Sequence, residues 1–127
     1  MNSKFYVSLE AARLLKEKGY NEVCDTAYDN EGIIGRPPTK CNNTKLAALS
    51  FVFGDDCYSA PTKSEAIDWL ESKGIVVEVV FDCNMQRWYF SIYKEEKTPW
   101  IKHLSNDTFS TRLEAEEAAI IKACELL

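Results

Sequence analysis

Apolar residues recur at three- and four-residue intervals in three stretches of this chain and at two-residue intervals in two others. Helices and strands are therefore separable by period. The first helical stretch is Leu9 to Lys18, where Leu9, Ala11, Ala12 and Leu15 make an apolar side. Ser8 stands at the N-cap position and Gly19 where a helix ends in the left-handed region. The second is Lys63 to Lys73, closed by Gly74, with Ala66, Ile67 and Leu70 as its core stripe and Trp69 at the flank. The third begins near Arg112 and runs toward Leu127. The second and third open with Thr-x-x-Glu, at Thr62 to Glu65 and Thr111 to Glu114. In such a box the threonine hydroxyl accepts from the third helical amide and the glutamate reaches back to the cap amide.

Between these two helices the period falls to two. Ile75 to Cys83 predicts a strand with Val77, Val79, Phe81 and Cys83 on one face and Val76, Glu78, Val80 and Asp82 on the other. Asn84-Met85-Gln86 predicts a hairpin loop. Arg87 to Lys94 alternates Trp88, Phe90 and Ile92 against Tyr89, Ser91 and Tyr93. Trp100 to Leu104 predicts a third strand, with Pro99 suited to its start.

From Tyr20 to Ala60 no period survives. Asn30, Gly32, Gly35, Pro37, Pro38, Asn42 and Asn43 mark turns, so residues 20–60 are expected to be largely irregular. Leu46 to Phe53 is read as a buried strand because Phe51-Val52-Phe53 precedes Gly54; a short helix is the other reading. The elements together predict one α+β domain over residues 1–127. It would hold a small antiparallel sheet of three to four strands with three helices, and its second half would run α-β-β-(β)-α. In the last helix Leu113, Ile120, Cys124 and Leu127 lie on one line, and Ala115, Ala119, Ala123 and Leu126 widen it to about half the circumference. That is more apolar surface than one sheet contact needs, so it predicts packing on helix one or on a second subunit as a homodimer.

Charge and chemistry narrow the function classes. Lys and Arg number 15 against 20 acids, for a net charge of −5. That balance disfavours a nucleic-acid partner, whose phosphates call for a basic excess. No run approaches a membrane span, and no apolar region of a secretory signal follows the start, so no membrane partner is expected. Five cysteines without a C-x-x-C pair predict reduced thiols and a cytoplasmic location. His103 is the single histidine, so neither a metal centre nor a Cys-His nucleophile is expected, and no catalytic residue is assigned. Asp25, Asp29 and Glu31 lack the spacing of a calcium loop. Gly32 to Pro38 is not a phosphate-binding loop, because no G-K-[ST] follows. It predicts a turn, with a ligand- or partner-contacting loop as the other reading. The chain is thus read as a non-enzymatic interaction protein without a cofactor. A nucleic-acid-binding module is the alternative. That reading would use Tyr89 and Tyr93 on an outer sheet face, flanked by Arg87 and Lys94, for base stacking. Arg36, from the glycine-proline loop, is a further candidate.

The helix-strand-strand-strand-helix order is similar to that of double-stranded-RNA-binding domains. Those domains open the last helix with lysines, where this chain has Glu114, Glu116 and Glu117. Phe109-Ser110-Thr111-Arg112-Leu113-Glu114-Ala115-Glu116 resembles a run in the arm-binding domains of phage integrases, without their basic third strand. The segments Ala60 to Trp69, Trp88-Tyr89-Phe90, Leu113 to Ala118 and Lys18-Gly19-Tyr20 resemble a family of small proteins, with no assigned activity, of Bacteroidetes genomes and their prophages. That resemblance implies an origin in a mobile element.

Overall fold

The computed structural model describes residues 3–49, 54, 56–95 and 101–127. The chain is an α+β protein with two compact units, Met1–Thr62 and Lys63–Leu127.

In the first unit a 3-10 turn, Ser3–Phe5, leads to helix α1, Leu9–Glu17. Ser8 Oγ accepts from the Ala11 amide at 3.1 Å, and Gly19 takes φ of +96°, so both ends form as their residues predict. Ala11, Ala12 and Leu15 are the buried positions of α1. Three short strands follow: β1 (Ala27–Tyr28), β2 (Ile34–Gly35) and β3 (Tyr58–Ser59), in the antiparallel order β2-β1-β3. Gly32, with φ of +78°, closes the turn that begins at Asp29. The Gly32–Pro38 segment is thus part turn and part strand. Helix α2, Asn43–Ala48, lies between β2 and β3. A strand was expected from Leu46, and helix is found through Ala48. The Asn42 side chain accepts from the Lys45 amide at 2.8 Å, a local cap that outweighs the strand preference of the apolar run. Phe51-Val52-Phe53 lies outside the described residues.

Side-chain amides hold this unit together. Asn43, only 6% exposed, donates from Nδ2 to the Tyr20 carbonyl at 2.7 Å and accepts on Oδ1 from the Ser59 amide at 2.9 Å. One buried residue thereby ties the exit of α1 to α2 and β3. Asn21 accepts from the Thr44 amide at 2.8 Å and Asn30 from the Asp56 amide at 3.3 Å. Cys24 and Cys41 form an isolated antiparallel bridge. Arg13 and Lys16 of α1 lie over the Tyr58 ring, 5.6 and 5.0 Å from its centroid.

The second unit opens with helix α3, Lys63–Ser72. Ala66 and Leu70 are fully buried as predicted, and Trp69 joins them at 8% exposure while Ile67 is only part-buried. The correction follows from i, i+3 and i+4 geometry: positions 66, 69 and 70 share a face, and 67 turns away. Strands β4 (Ile75–Asp82), β5 (Arg87–Lys94) and β6 (Ile101–Leu104) form an antiparallel sheet in that order. Asp82 Oδ1 accepts from the Asn84 and Met85 amides, and Gln86 takes φ of 55°, which closes the predicted hairpin. Pro99 and Trp100 are outside the described residues.

Helix α4, Arg112–Leu126, is capped by Thr111, whose side chain accepts from the Glu114 amide at 3.2 Å. The Glu114 carboxylate accepts from the Ser110 hydroxyl at 3.1 Å. The broad apolar arc of α4 is used inside the unit. Ala115, Ala119, Ile120, Ala123 and Cys124 are all at 0% exposure, and α4 packs on α3, β4 and β5 together. Two simultaneous partners account for an arc too wide for one. Five of the eight residues of the predicted arc are thus buried within the unit, while Leu113 and Leu126 stay part-exposed and Leu127 is 36% exposed.

Candidate functional site

Register divides the second sheet into two faces. Opposite residues of an antiparallel pair project to the same side. Val79 faces Phe90, Val77 faces Ile92 and Ile75 faces Lys94. Phe90, at 6% exposure, stacks on Phe109 with centroids 6.1 Å apart, and Ile92 and Ile75 are buried at 0% and 1%. A small cleft lined by Phe90 and Phe109 also holds Ala118 and Lys122 of α4. This face therefore carries the helices. Trp88 shares it at the hairpin end, part-exposed, with its ring 5.2 Å from that of Phe81.

The other face carries Val76, Glu78, Val80 and Asp82 of β4, with Arg87, Tyr89, Ser91 and Tyr93 of β5. Lys102 and Leu104 of β6 complete it, opposite Tyr93 and Ser91. Val76, Val80, Tyr89 and Tyr93 are each partly exposed and Leu104 is 59% exposed. Tyr89 and Tyr93 stand on one face as predicted, separated by the buried Ser91.

Of the two cations expected to flank the tyrosines, Arg87 stands on this face and Lys94 does not. The Arg87 guanidinium is occupied: Nε donates to Thr108 Oγ1 at 2.7 Å and Nη2 to the Thr108 carbonyl at 3.0 Å. This fork holds the approach to α4 beside β5. There Trp88 and Phe109 exchange two backbone hydrogen bonds of 2.8 Å. Lys94 does not flank the tyrosines. Alternation puts it opposite Ile75, on the helix-bearing side. The cation that meets the tyrosines is Lys102, whose Nζ lies 5.6 Å from the Tyr93 centroid. Sequence reasoning missed it because the cross-strand register of β6 is needed to pair the two. Arg87 keeps its charge while tied to Thr108, so this face carries two acids, Glu78 and Asp82, and two cations, Arg87 and Lys102, which gives no basic excess.

Arg36 belongs to the first unit, exposed at the edge of a cavity of about 250 Å³. His103 faces Ile92 in the ladder, on the helix-bearing side. Among the described residues no group of three or more His, Cys, Asp or Glu side chains is placed to hold a metal ion. No helix among them is long and apolar enough to cross a membrane. No family model, curated protein or solved structure matches this chain.

Proposed function

We propose that this is a non-enzymatic interaction protein of mobile-element origin, which binds a protein partner through the outer face of the β4-β5-β6 sheet. The observation that carries the reading is the composition of that face. Part-exposed Tyr89, Tyr93, Val76 and Val80 adjoin the exposed Leu104, and acids balance cations around them. Tyrosine gives large contact area at low conformational cost and is enriched where binding energy concentrates. The origin rests on the prophage resemblance alone. The nucleic-acid reading keeps its stacking residues, but tracking phosphates needs a basic excess beside them, and Glu78 and Asp82 offset Arg87 and Lys102 on this face.

The test is site-specific photo-crosslinking in the source cell. A benzophenone side chain is placed at Tyr89, at Tyr93 and, as a control, at Glu65 on the exposed side of α3. One common protein captured at both tyrosine positions and not at Glu65 is expected. A second copy of this chain captured in the same pattern would make the partner self. Equal capture at all three positions would remove the reading. Salt-sensitive binding of single-stranded DNA or RNA, weakened by Tyr89→Ala, would replace it with the alternative.

A further inference from the structure

The first unit holds a cavity independent of the proposed interaction face, and its walls specify a ligand chemistry. In β1, Tyr28 and Ala27 project to opposite sides. The Tyr28 hydroxyl donates to the Val7 carbonyl at 2.6 Å, so its side faces the approach to α1. Ala27 packs against the buried cluster of Cys41, Leu46 and Cys57. Gly35 is the register partner of Ala27 and shares its side. A Cβ built on Gly35 meets no atom within 4 Å. The cavity of about 250 Å³ is lined by Ala27 and Gly35 with Leu46, Cys57 and Pro37, and it reaches past the strand ends to Tyr28 and Ile34 of the other side. Ala27 and Gly35 leave the least side-chain bulk in its lining.

The polar groups at its edge are unequal. Asp29 Oδ1 already accepts from the Glu31 and Ile33 amides at 2.9 and 3.0 Å, which holds that oxygen in the Asp29–Ile33 turn. Arg36 makes no hydrogen bond or ion pair with any described residue, and it lines the same space. A planar guanidinium at the mouth of an apolar cavity matches a carboxylate attached to an apolar body. A dry cavity of about 150 Å³ admits benzene, so this one has room for a phenyl or branched aliphatic group with a short chain.

We infer that this cavity binds a small apolar carboxylate, with the hydrocarbon over Ala27 and Gly35 and the carboxylate on Arg36. The same chemistry is offered by a free acid and by the apolar C-terminal residue of a peptide. The experiment therefore uses 3-phenylpropanoate and N-acetyl-Gly-Leu, with 3-phenylpropanol and the peptide amide as uncharged controls. Amide chemical shifts of the full chain are followed during titration at millimolar probe. Saturable shifts at Ala27, Ile34 and Gly35 are expected, with the acids binding about tenfold more tightly than their controls, the scale of one charge-assisted contact. Arg36→Gln should remove that preference while leaving weak binding of the apolar body. Gly35→Leu should fill the cavity and abolish both. A Cβ at this position enters open space and the backbone is outside the left-handed region, and unchanged amide shifts in α1 and in the second unit check that the fold is retained. Binding of the peptide alone assigns the site to a C-terminus, and binding of the free acid alone assigns it to a metabolite. No shifts in this segment, no preference for the acids, or undiminished binding in Gly35→Leu would each overturn the assignment.

Discussion

In the second unit, β4 and β5 pair without interruption from Ile75↔Lys94 to Asp82↔Arg87, and helices bury one face of the ladder. In the first, each strand has two residues and each ladder two register pairs. The elements there are joined by Asn21, Asn30, Asn42 and Asn43, whose side chains bond backbone amides and carbonyls. The backbone must pair its buried donors and acceptors in either case. A long ladder does so by repetition and leaves side chains free to form a periodic apolar face. A chain of short segments does so through specific polar side chains, each acting once. The two units should therefore fail differently: the second by loss of apolar volume, the first by loss of single amides.

The largest expected effect tests the second unit. Ile92 is at 0% exposure in the centre of the helix-bearing face. Ile92→Ala removes its buried volume and should cost about 2–5 kcal/mol in urea unfolding. A loss under about 1 kcal/mol, the ordinary scale of a point mutation, would mean that the layer of helices on sheet is not what holds this unit. The matching change in the first unit is Asn43→Leu, which keeps the branched shape with somewhat larger ends and removes both bonds. It leaves the Ser59 amide without its Asn43 acceptor, at about 1–3 kcal/mol for a buried unpaired group, and takes one donor from the Tyr20 carbonyl. Amide exchange at Ser59 should accelerate accordingly. Asn43→Asp, which retains the acceptor for the Ser59 amide, should protect that amide better than Asn43→Leu. Equal exchange in the two variants would show that Asn43 acts by filling space.

The same contrast explains what could be read from the sequence. The second unit was legible because each level agrees: the period-two run of β5, the Gly74 and Thr111 boundaries and the apolar arc of α4 all describe one packing. Its faces were legible too, and Tyr89 and Tyr93 stand where alternation puts them. The cations around them were legible only in part. Arg87 found a carbonyl and a hydroxyl at Thr108, a contact that no spacing announces, and Lys94 obeys the same alternation that separates it from Tyr93. In the first unit asparagines read as turn punctuation, which is their usual role. Nothing local distinguishes Asn43, buried and bonded to two distant segments, from Asn21 at the surface. The cavity was illegible for a related reason: Ala27 and Gly35 matter as a register pair, and register was not available without the structure.

A smaller effect is expected at Gly54. Its φ is +90°, and an added Cβ would lie 2.6 Å from the Cβ of Asn30. Gly54→Ala should cost about 1–3 kcal/mol, the scale of a strained left-handed residue. It should also displace the Asn30 side chain that receives the Asp56 amide. Combining it with Asn30→Gly relieves the contact but not the backbone strain, so partial recovery is expected. Full recovery would assign the whole cost to the collision, and none would assign it to φ.

The smallest effects compare one kind of bond across the two units. Asn42 caps α2 and Thr111 caps α4, each accepting from the amide three residues on, at 2.8 and 3.2 Å. Either residue changed to Ala should cost about 1 kcal/mol, the usual value of an N-cap. The consequences should differ in extent. Helix α4 has 15 residues, five of them buried against two neighbours, so its amides beyond the first turn remain held by packing. Helix α2 has six residues, far below the length at which a helix persists by itself, and its first turn is most of the element. In Asn42→Ala, exchange should accelerate through Leu49, whose amide bonds the Lys45 carbonyl at 3.0 Å. In Thr111→Ala it should accelerate no further than Ala115, whose amide bonds the Thr111 carbonyl. Because Leu46 walls the cavity, fraying of α2 should also weaken 3-phenylpropanoate binding in Asn42→Ala and leave it unchanged in Thr111→Ala. Confinement of the Asn42→Ala effect to its first turn would show that burial of Leu46 holds α2 without its cap, and that the first unit depends on apolar packing as much as the second.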